Sequence, residues 1–200
     1  MACRHFNEWL FASALPEVAF TLHRHNGARG YASMDRFIER GGDAKLHELA
    51  INPDLLLERT DKDTLSTLVH EMAHVWQFCF GEPGRGRYHN REWADRMEAL
   101  GLIPSDTGAP GGRRTGDRVS HYIVPGGPFD RAADELLGSG WMVRRGSRKR
   151  GGKGRVDPSK TRFTCPSCGQ HAWAKRRAEL ICGTCHAEMA ADATLLTMAA

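Results

Sequence analysis

The chain has 200 residues, 40% of them apolar and 26% charged, with a net charge of +4. That composition fits a globular protein with room for one ordinary domain and a small appendage. It argues against a membrane protein, because the longest apolar stretch, Trp9 to Phe20, is interrupted by Ser13, Pro16 and Glu17 and falls short of the ~20 residues a spanning helix needs.

Phe6, Trp9, Leu10 and Ser13/Ala14 fall at helical spacing and predict a first helix ended by Pro16. Its early acid, Glu8, and the lack of an apolar leader core make the cytoplasm, nucleoid included, the expected compartment. Val18, Phe20 and Leu22 alternate with Ala19, Thr21 and His23 as a strand, which turns at Asn26-Gly27 and returns over Tyr31 to Ile38. After a turn at Gly41-Gly42-Asp43, Lys45 to Ile51 is a third strand, closed by Asn52-Pro53. A long helix is predicted from Asp61 to Phe80. Thr60 and Asp63 resemble its capping box, and Leu65, Leu68, Val69, Met72 and Trp76 form its apolar face. Gly81-Glu82-Pro83-Gly84 breaks it, and a further helix from near Asn90 to Leu100 ends at Gly101. Beyond it, Val119 to Val124 reads as a strand and Pro128 to Leu137 as a short helix, an ordered island (119–137) in an otherwise Gly-, Pro- and Arg-rich stretch.

His70-Glu71-Met72-Ala73-His74 lies inside the long helix. Two histidines four apart leave one helix face a turn apart and can grip one metal ion. Glu71, offset by about 100°, points beside that ion, where it can take a proton from a zinc-bound water. A catalytic zinc needs a third protein ligand. A metzincin would require glycine and histidine where this chain has Gln77 and Phe80, so that clan is excluded. His89 and Glu92 both remain open on the residues alone. His5, His23, His25 and His47 read as surface or core histidines. Tyr122 and Val124 are expected to pack in a sheet; the competing hypothesis is that His121 or Tyr122 reaches the site and stabilises an oxyanion opposite the metal.

Cys165-Pro166-Ser167-Cys168 and Cys182-Gly183-Thr184-Cys185 are two CxxC knuckles 13 residues apart, the spacing of a four-cysteine zinc ribbon, with Cys3 and Cys79 standing alone. His171 and His186 are not needed as ligands there. A module this small depends on its metal for folding. Trp173, Lys175, Arg176 and Arg177 between the knuckles are either a basic, aromatic nucleic-acid surface or an ordinary solvated hairpin. From Arg144 to Arg162 there are nine Lys/Arg against one acid. Arg144, Arg145, Arg148, Lys149, Arg150, Lys153 and Arg155 are therefore the candidate contacts to DNA or another nucleic acid, the bland alternative being a solvated linker.

Taken together, these residues resemble the SprT-like family of bacterial SprT proteins and the eukaryotic protease Spartan. In that family HExxH is joined to a later His-Gly-x-x-aromatic segment. Here His89-Asn90-Arg91-Glu92-Trp93 fills that slot, and Phe6-Asn7-Glu8-Trp9-Leu10-Phe11 with Leu15-Pro16 resembles the family's opening. The resemblance covers about residues 5–104 and the C-terminal module. It implies His89 as third ligand, with Asn90 replacing a glycine at a position expected to tolerate left-handed backbone. The implied fold is α+β: a zincin-like metallopeptidase domain (1–105), in which a small sheet packs on the active-site helix, a connecting segment (106–162), a small β zinc ribbon (163–190) and a tail (191–200). The implied activity is zinc-dependent peptide hydrolysis with one catalytic and one structural Zn2+, acting on proteins associated with or crosslinked to DNA. The competing class is a non-catalytic nucleic-acid-binding protein on the same scaffold.

Overall fold

A computed structural model describes residues 1–25, 27–144, 146 and 160–191. The chain divides into two compact units, Met1–Arg148 and Lys149–Ala200. No helix among the described residues is long and apolar enough to cross a membrane.

The first unit is mixed α/β. Helix α1 (Ala2–Phe11) buries Phe6 and Phe11, while Trp9 is half exposed, so the face that packs is not the one centred on Trp9. Left-handed Ala12 and Ser13 stop it before Pro16 is reached. Asn7 fastens the exit by bonding the Leu15 backbone through both ends of its amide. Strands β1 (Val18–Leu22), β2 (Gly30–Ile38) and β3 (Lys45–Ile51) form one sheet in the order β1-β3-β2. The predicted return strand β2 therefore does not pair with β1: β3 inserts between them, parallel to β1 and antiparallel to β2. β2 is bulged between Ser33 and Phe37, where Asp35 adopts a left-handed backbone.

Helix α2 (Asp61–Phe80) starts as its sequence predicts. Thr60 Oγ1 accepts the Asp63 N–H at 3.0 Å and donates to the Asp63 carboxylate at 2.7 Å. It packs against β2, β3, α1, α3 (Arg91–Ala99) and α4 (Pro128–Gly138). Every residue from 64 to 73 is buried, so this is a helix enclosed all round rather than an amphipathic one. Its polar members must then find partners inside the protein. Ser66 and Thr67 bond back to the Asp63 carbonyl, and Thr67 also accepts from Arg59.

The island expected within the connecting segment is part of this core. Strand β4 (Leu102–Ser105) pairs antiparallel with β5 (Ser120–Ile123), setting Pro104 opposite His121. Gly101 makes the preceding turn at φ +81°, where a Cβ would sit 2.9 Å from Pro128 Cδ. Helix α4 buries Phe129, Ala132, Ala133 and Leu136, with Phe129 stacked on Phe6 at 5.7 Å. Lys62 on α2 pairs with Asp130 and Asp134 on α4.

The second unit is a three-stranded antiparallel sheet, β6 (Thr161–Thr164), β7 (His171–Ala174) and β8 (Ala190–Ala191), in the order β7-β6-β8. Phe163, Cys165, Cys182 and Met189 are its buried side chains.

Candidate metal centres

His70 and His74 come from the buried middle of α2. The chain then leaves α2 at Gly81 and returns to begin α3, placing His89 immediately before the helix cap. Asn90 is that cap. Its Oδ1 accepts the Trp93 N–H at 3.1 Å, and its backbone is extended, with φ −85°. The expectation of a left-handed residue here is thus corrected: asparagine serves as an N-cap, a role in which side-chain oxygen rather than backbone freedom matters. Glu92, the rival ligand, faces away. Its carboxylate takes Gln77 Nε2 and the Glu82 N–H, both at 2.7 Å, tying the end of α2 to the start of α3.

The structure brings His70, His74 and His89 together, their nearest ring nitrogens all within 4.8 Å of one another. His70 Nε2 and His89 Nε2 are 3.4 Å apart. Two nitrogens on one tetrahedral ion with bonds of about 2.0–2.1 Å are separated by about 3.3–3.4 Å, so this donor set fits zinc. Trp93, fully buried, lies against all three rings, with centroids 4.4–5.1 Å away. Burial drives the His70 imidazole's pKa well below its usual value and His74 down to about 3, and it also lowers His89. All three are held neutral, the form that binds a metal.

Two of the ligands are oriented from outside. His89 pairs with Gly116 through both backbone groups and bonds the Gly116 carbonyl through Nδ1 at 3.0 Å, leaving Nε2 towards the cluster. His70 Nδ1 lies 3.2 Å from His121 Nδ1, His121 Nε2 lies 2.9 Å from Ser66 Oγ, and Ser66 Oγ donates to the Asp63 carbonyl at 2.9 Å. With the terminal carbonyl as pure acceptor, one assignment satisfies the whole chain. His70 Nδ1–H donates to His121, His121 Nε2–H donates to Ser66, and Ser66 donates to Asp63. His121 does reach the site, but behind His70 rather than across from it as an oxyanion donor. Tyr122 instead lines an adjoining cavity.

Glu71 is buried against β2. Desolvation pushes its carboxyl up to about 8, opposed by the Ala32 N–H that bonds it. Gly30 makes room: a Cβ there would stand 3.1 Å from Glu71 Oε1 and 2.8 Å from the Ala50 carbonyl. No motif or periodicity in the sequence marks Gly30, Ala32 or Gly116. Ser66, one turn before His70 on a buried helix, carries a usable signal.

In the second unit Cys165, Cys168, Cys182 and Cys185 gather with all sulfurs within 4.8 Å. Cys168 and Cys182 sulfurs are 3.7 Å apart. A tetrahedral ion with bonds of about 2.3 Å sets sulfurs about 3.8 Å apart, far from the ~2.05 Å of a disulfide. The knuckles repeat one design. In each, the residue after the second cysteine, Gly169 or His186, is left-handed and donates its N–H to the carbonyl of the first. Peptide N–H groups of Cys168 and Ser167 lower the Cys165 thiol to about 7. The four cysteines fit the ribbon expected from their spacing, with His171 and His186 outside the set. Of the candidate nucleic-acid contacts, Arg144 is exposed, while Arg145, Arg148, Lys149, Arg150, Lys153 and Arg155 lie outside the described residues.

A three-histidine cluster, two of its members on α2, and a separate four-cysteine module are each spaced so that they could hold a metal ion. The model of the SprT-like family matches residues 2–110, and the chain belongs to that family. Protein SprT of Salmonella newport (strain SL254) and that of Salmonella heidelberg (strain SL476) are each 29% identical to it over 107 residues, covering 46% of this chain and 62% of the relative. The chain thus spans less than two thirds of the curated relatives it matches. No solved structure matches it significantly.

Proposed function

We propose that the chain is a zinc-dependent metalloendopeptidase of the SprT-like type on a zincin-like fold. His70, His74 and His89 hold the catalytic zinc, and Cys165, Cys168, Cys182 and Cys185 hold a structural one. The observation that carries this reading is the three-imidazole cluster, its ring nitrogens within 4.8 Å of one another, with a carboxyl on the residue after His70. Metal binding alone has no use for Glu71. Zinc at this cluster supplies Lewis acidity, polarising a peptide carbonyl and acidifying an attacking water. The chain's own part is proton handling and orientation. One Glu71 oxygen is steadied by the Ala32 N–H, and burial raises the Glu71 carboxyl to about 8. In the ionised form, which a cation at the cluster would favour, it would take a proton from the attacking water and return it to the leaving amide nitrogen. His70 and His89 keep their Nδ1 protons occupied by His121 and Gly116, so their Nε2 lone pairs stay directed into the cluster. Trp93 shuts water out from behind.

The substrates are proteins or peptides, including those bound or crosslinked to DNA, with nucleic acid held by the basic segment from Arg144 to Arg155 and by the ribbon. The catalytic domain extends through α4, and the ribbon is a separate appendage. Location in the cytoplasm, at the nucleoid, follows from these partners.

The test is digestion of a generic unfolded protein, with and without DNA, by wild type and Glu71→Gln of equal zinc content. Loss of the proton carrier should slow hydrolysis by about 10²–10⁴-fold. Equal digestion by both proteins would overturn the reading and leave a non-catalytic nucleic-acid-binding protein on the same scaffold.

A further inference from the structure

Next to the histidine cluster the first unit has a cavity of about 480 Å³. Arg29, from the turn before β2, and Arg59, from the turn before α2, both line it, together with Ser66, Ser120, His121 and Tyr122. Five described arginines of this unit are matched with acids: Arg24 with Asp54, Arg36 with Glu48, Arg91 with Asp95, Arg113 with Asp106, and Arg114 with Asp95 and Glu98. These two are not. Arg29 donates to Ser120 Oγ at 3.2 Å and Arg59 to Thr67 Oγ1 at 2.7 Å. Among the described residues neither guanidinium has a carboxylate within ion-pair reach. Asp63 is the one acid lining the cavity, and its carboxylate takes the Thr60 hydroxyl.

The two cations work against each other. Burial lowers the Arg59 pKa and the Arg29 charge lowers it further. The same positive field bears on His121 and on His70. Two like charges share one concavity with a single acid, Asp63, which attracts Arg59, so a net positive charge flanked by hydroxyls is left for an anion from outside to match. The cavity also touches the metal centre: His121 lines it and bonds His70. Whatever fills it therefore lies behind His70, one side chain removed from whatever is held at the three histidines.

We infer that this cavity is a carboxylate-binding subsite for the substrate peptide, taking an Asp or Glu side chain near the scissile bond or the free carboxylate of a chain end. The inference rests on the peptidase reading for the identity of the ligand. Arg29 and Arg59 form the charged grip, and Ser120 and Tyr122 offer neutral donors around it. The zinc enzyme would then select acidic sequence on one side of the cleavage point.

The experiment compares internally quenched peptides that differ only in Glu against Gln near the cleavage point, each with a free or an amidated C-terminus. Wild type should favour the carboxylate-bearing peptide by tenfold or more in kcat/KM. Arg59→Gln should erode that preference, and Arg29→Glu should turn it towards Lys-bearing peptides, a gain that misfolding cannot imitate. Preference surviving amidation assigns the subsite to a side chain; preference abolished by it assigns the chain end. The same peptides, fluorescently labelled, are titrated onto the Glu71→Gln protein to read binding without turnover. Equal cleavage and equal binding of all peptides overturns the subsite while leaving the peptidase intact. Carboxylate-selective binding with no cleavage by wild type keeps the subsite and removes the peptidase. Unchanged peptide selectivity in Arg29→Glu with lost binding of a single-stranded DNA oligonucleotide overturns the inference in favour of a phosphate site.

Discussion

Replacing His121 by alanine tests whether the metal centre is built from one helix and a loop or needs the distant strand β5. In the native site His70 Nδ1 and His121 Nδ1 are 3.2 Å apart, and His121 passes the bond on to Ser66 at 2.9 Å. Once His70 binds through Nε2, its Nδ1 must carry the proton, and in His121→Ala that N–H loses its partner ring. An unpaired buried donor costs about 1–3 kcal/mol, equivalent to about 5–150-fold in affinity, and loss of an outer partner of a ligating histidine typically weakens metal binding by about 10–100-fold. The expected result is a tenfold to hundredfold rise in zinc Kd at the histidine site. Ser66→Ala removes only the second bond and should cost about 0.5–1.5 kcal/mol, a threefold to tenfold effect. Competition against a chromophoric chelator measures both, and the four-cysteine site, which contains none of these residues, is the internal control. If His121→Ala folds with a native circular dichroism spectrum and binds zinc at the histidine site as tightly as wild type, the relay does not orient His70.

Other consequences follow from packing. Gly30→Ala forces a Cβ to 2.8 Å from the Ala50 carbonyl and 3.1 Å from Glu71 Oε1; urea denaturation should show a loss of about 1–3 kcal/mol, with hydrolysis falling further than stability explains. Phe129→Ala empties a fully buried position stacked on Phe6 and should destabilise the first unit by about 3–5 kcal/mol by the same measurement; a change under about 1 kcal/mol would mean that α4 is not part of that core. Asn90→Ala should lose about 1 kcal/mol of cap stability, with Asn90→Gly less affected, and an Asn90→Gly protein more stable than wild type would restore the idea that backbone freedom matters at this position.

The parts of the fold that were legible are those decided over a few residues. α2 follows from Thr60, Asp63 and a long periodic stretch, and β3 from a short apolar run bounded by Gly-Gly-Asp and Asn-Pro. The Asn26-Gly27 turn signal misleads, because it fixes where the chain bends and not which strand it meets next. β3 has the apolar burial to sit in the middle, with Leu49, Ala50 and Ile51 all enclosed, whereas β1 leaves Phe20 and Leu22 half exposed at an edge. Likewise α1 turns Phe6 and Phe11 inward and not Trp9, a choice set by α4, more than 100 residues later.

The same division runs through the candidate site. His70, Glu71 and His74 are a local pattern and could be read directly; His89 needed the family resemblance, since spacing left Glu92 equally open. What excludes Glu92 is a clamp with Gln77 and Glu82 at the break between two helices, which no periodicity announces. The groups that aim the ligands come from residues 116 and 121, in a stretch that looks like linker because it is rich in glycine and arginine. That composition belongs to the turns, where Gly108, Gly111 and Gly116 take positive φ, and it hides a short strand whose single histidine completes the bond chain behind His70. A chain cut at the end of the family match, after residue 110, would keep all three histidines. It would lose the Gly116 carbonyl and the His121 ring that bond two of them, so the candidate metal centre draws on residues beyond the family match.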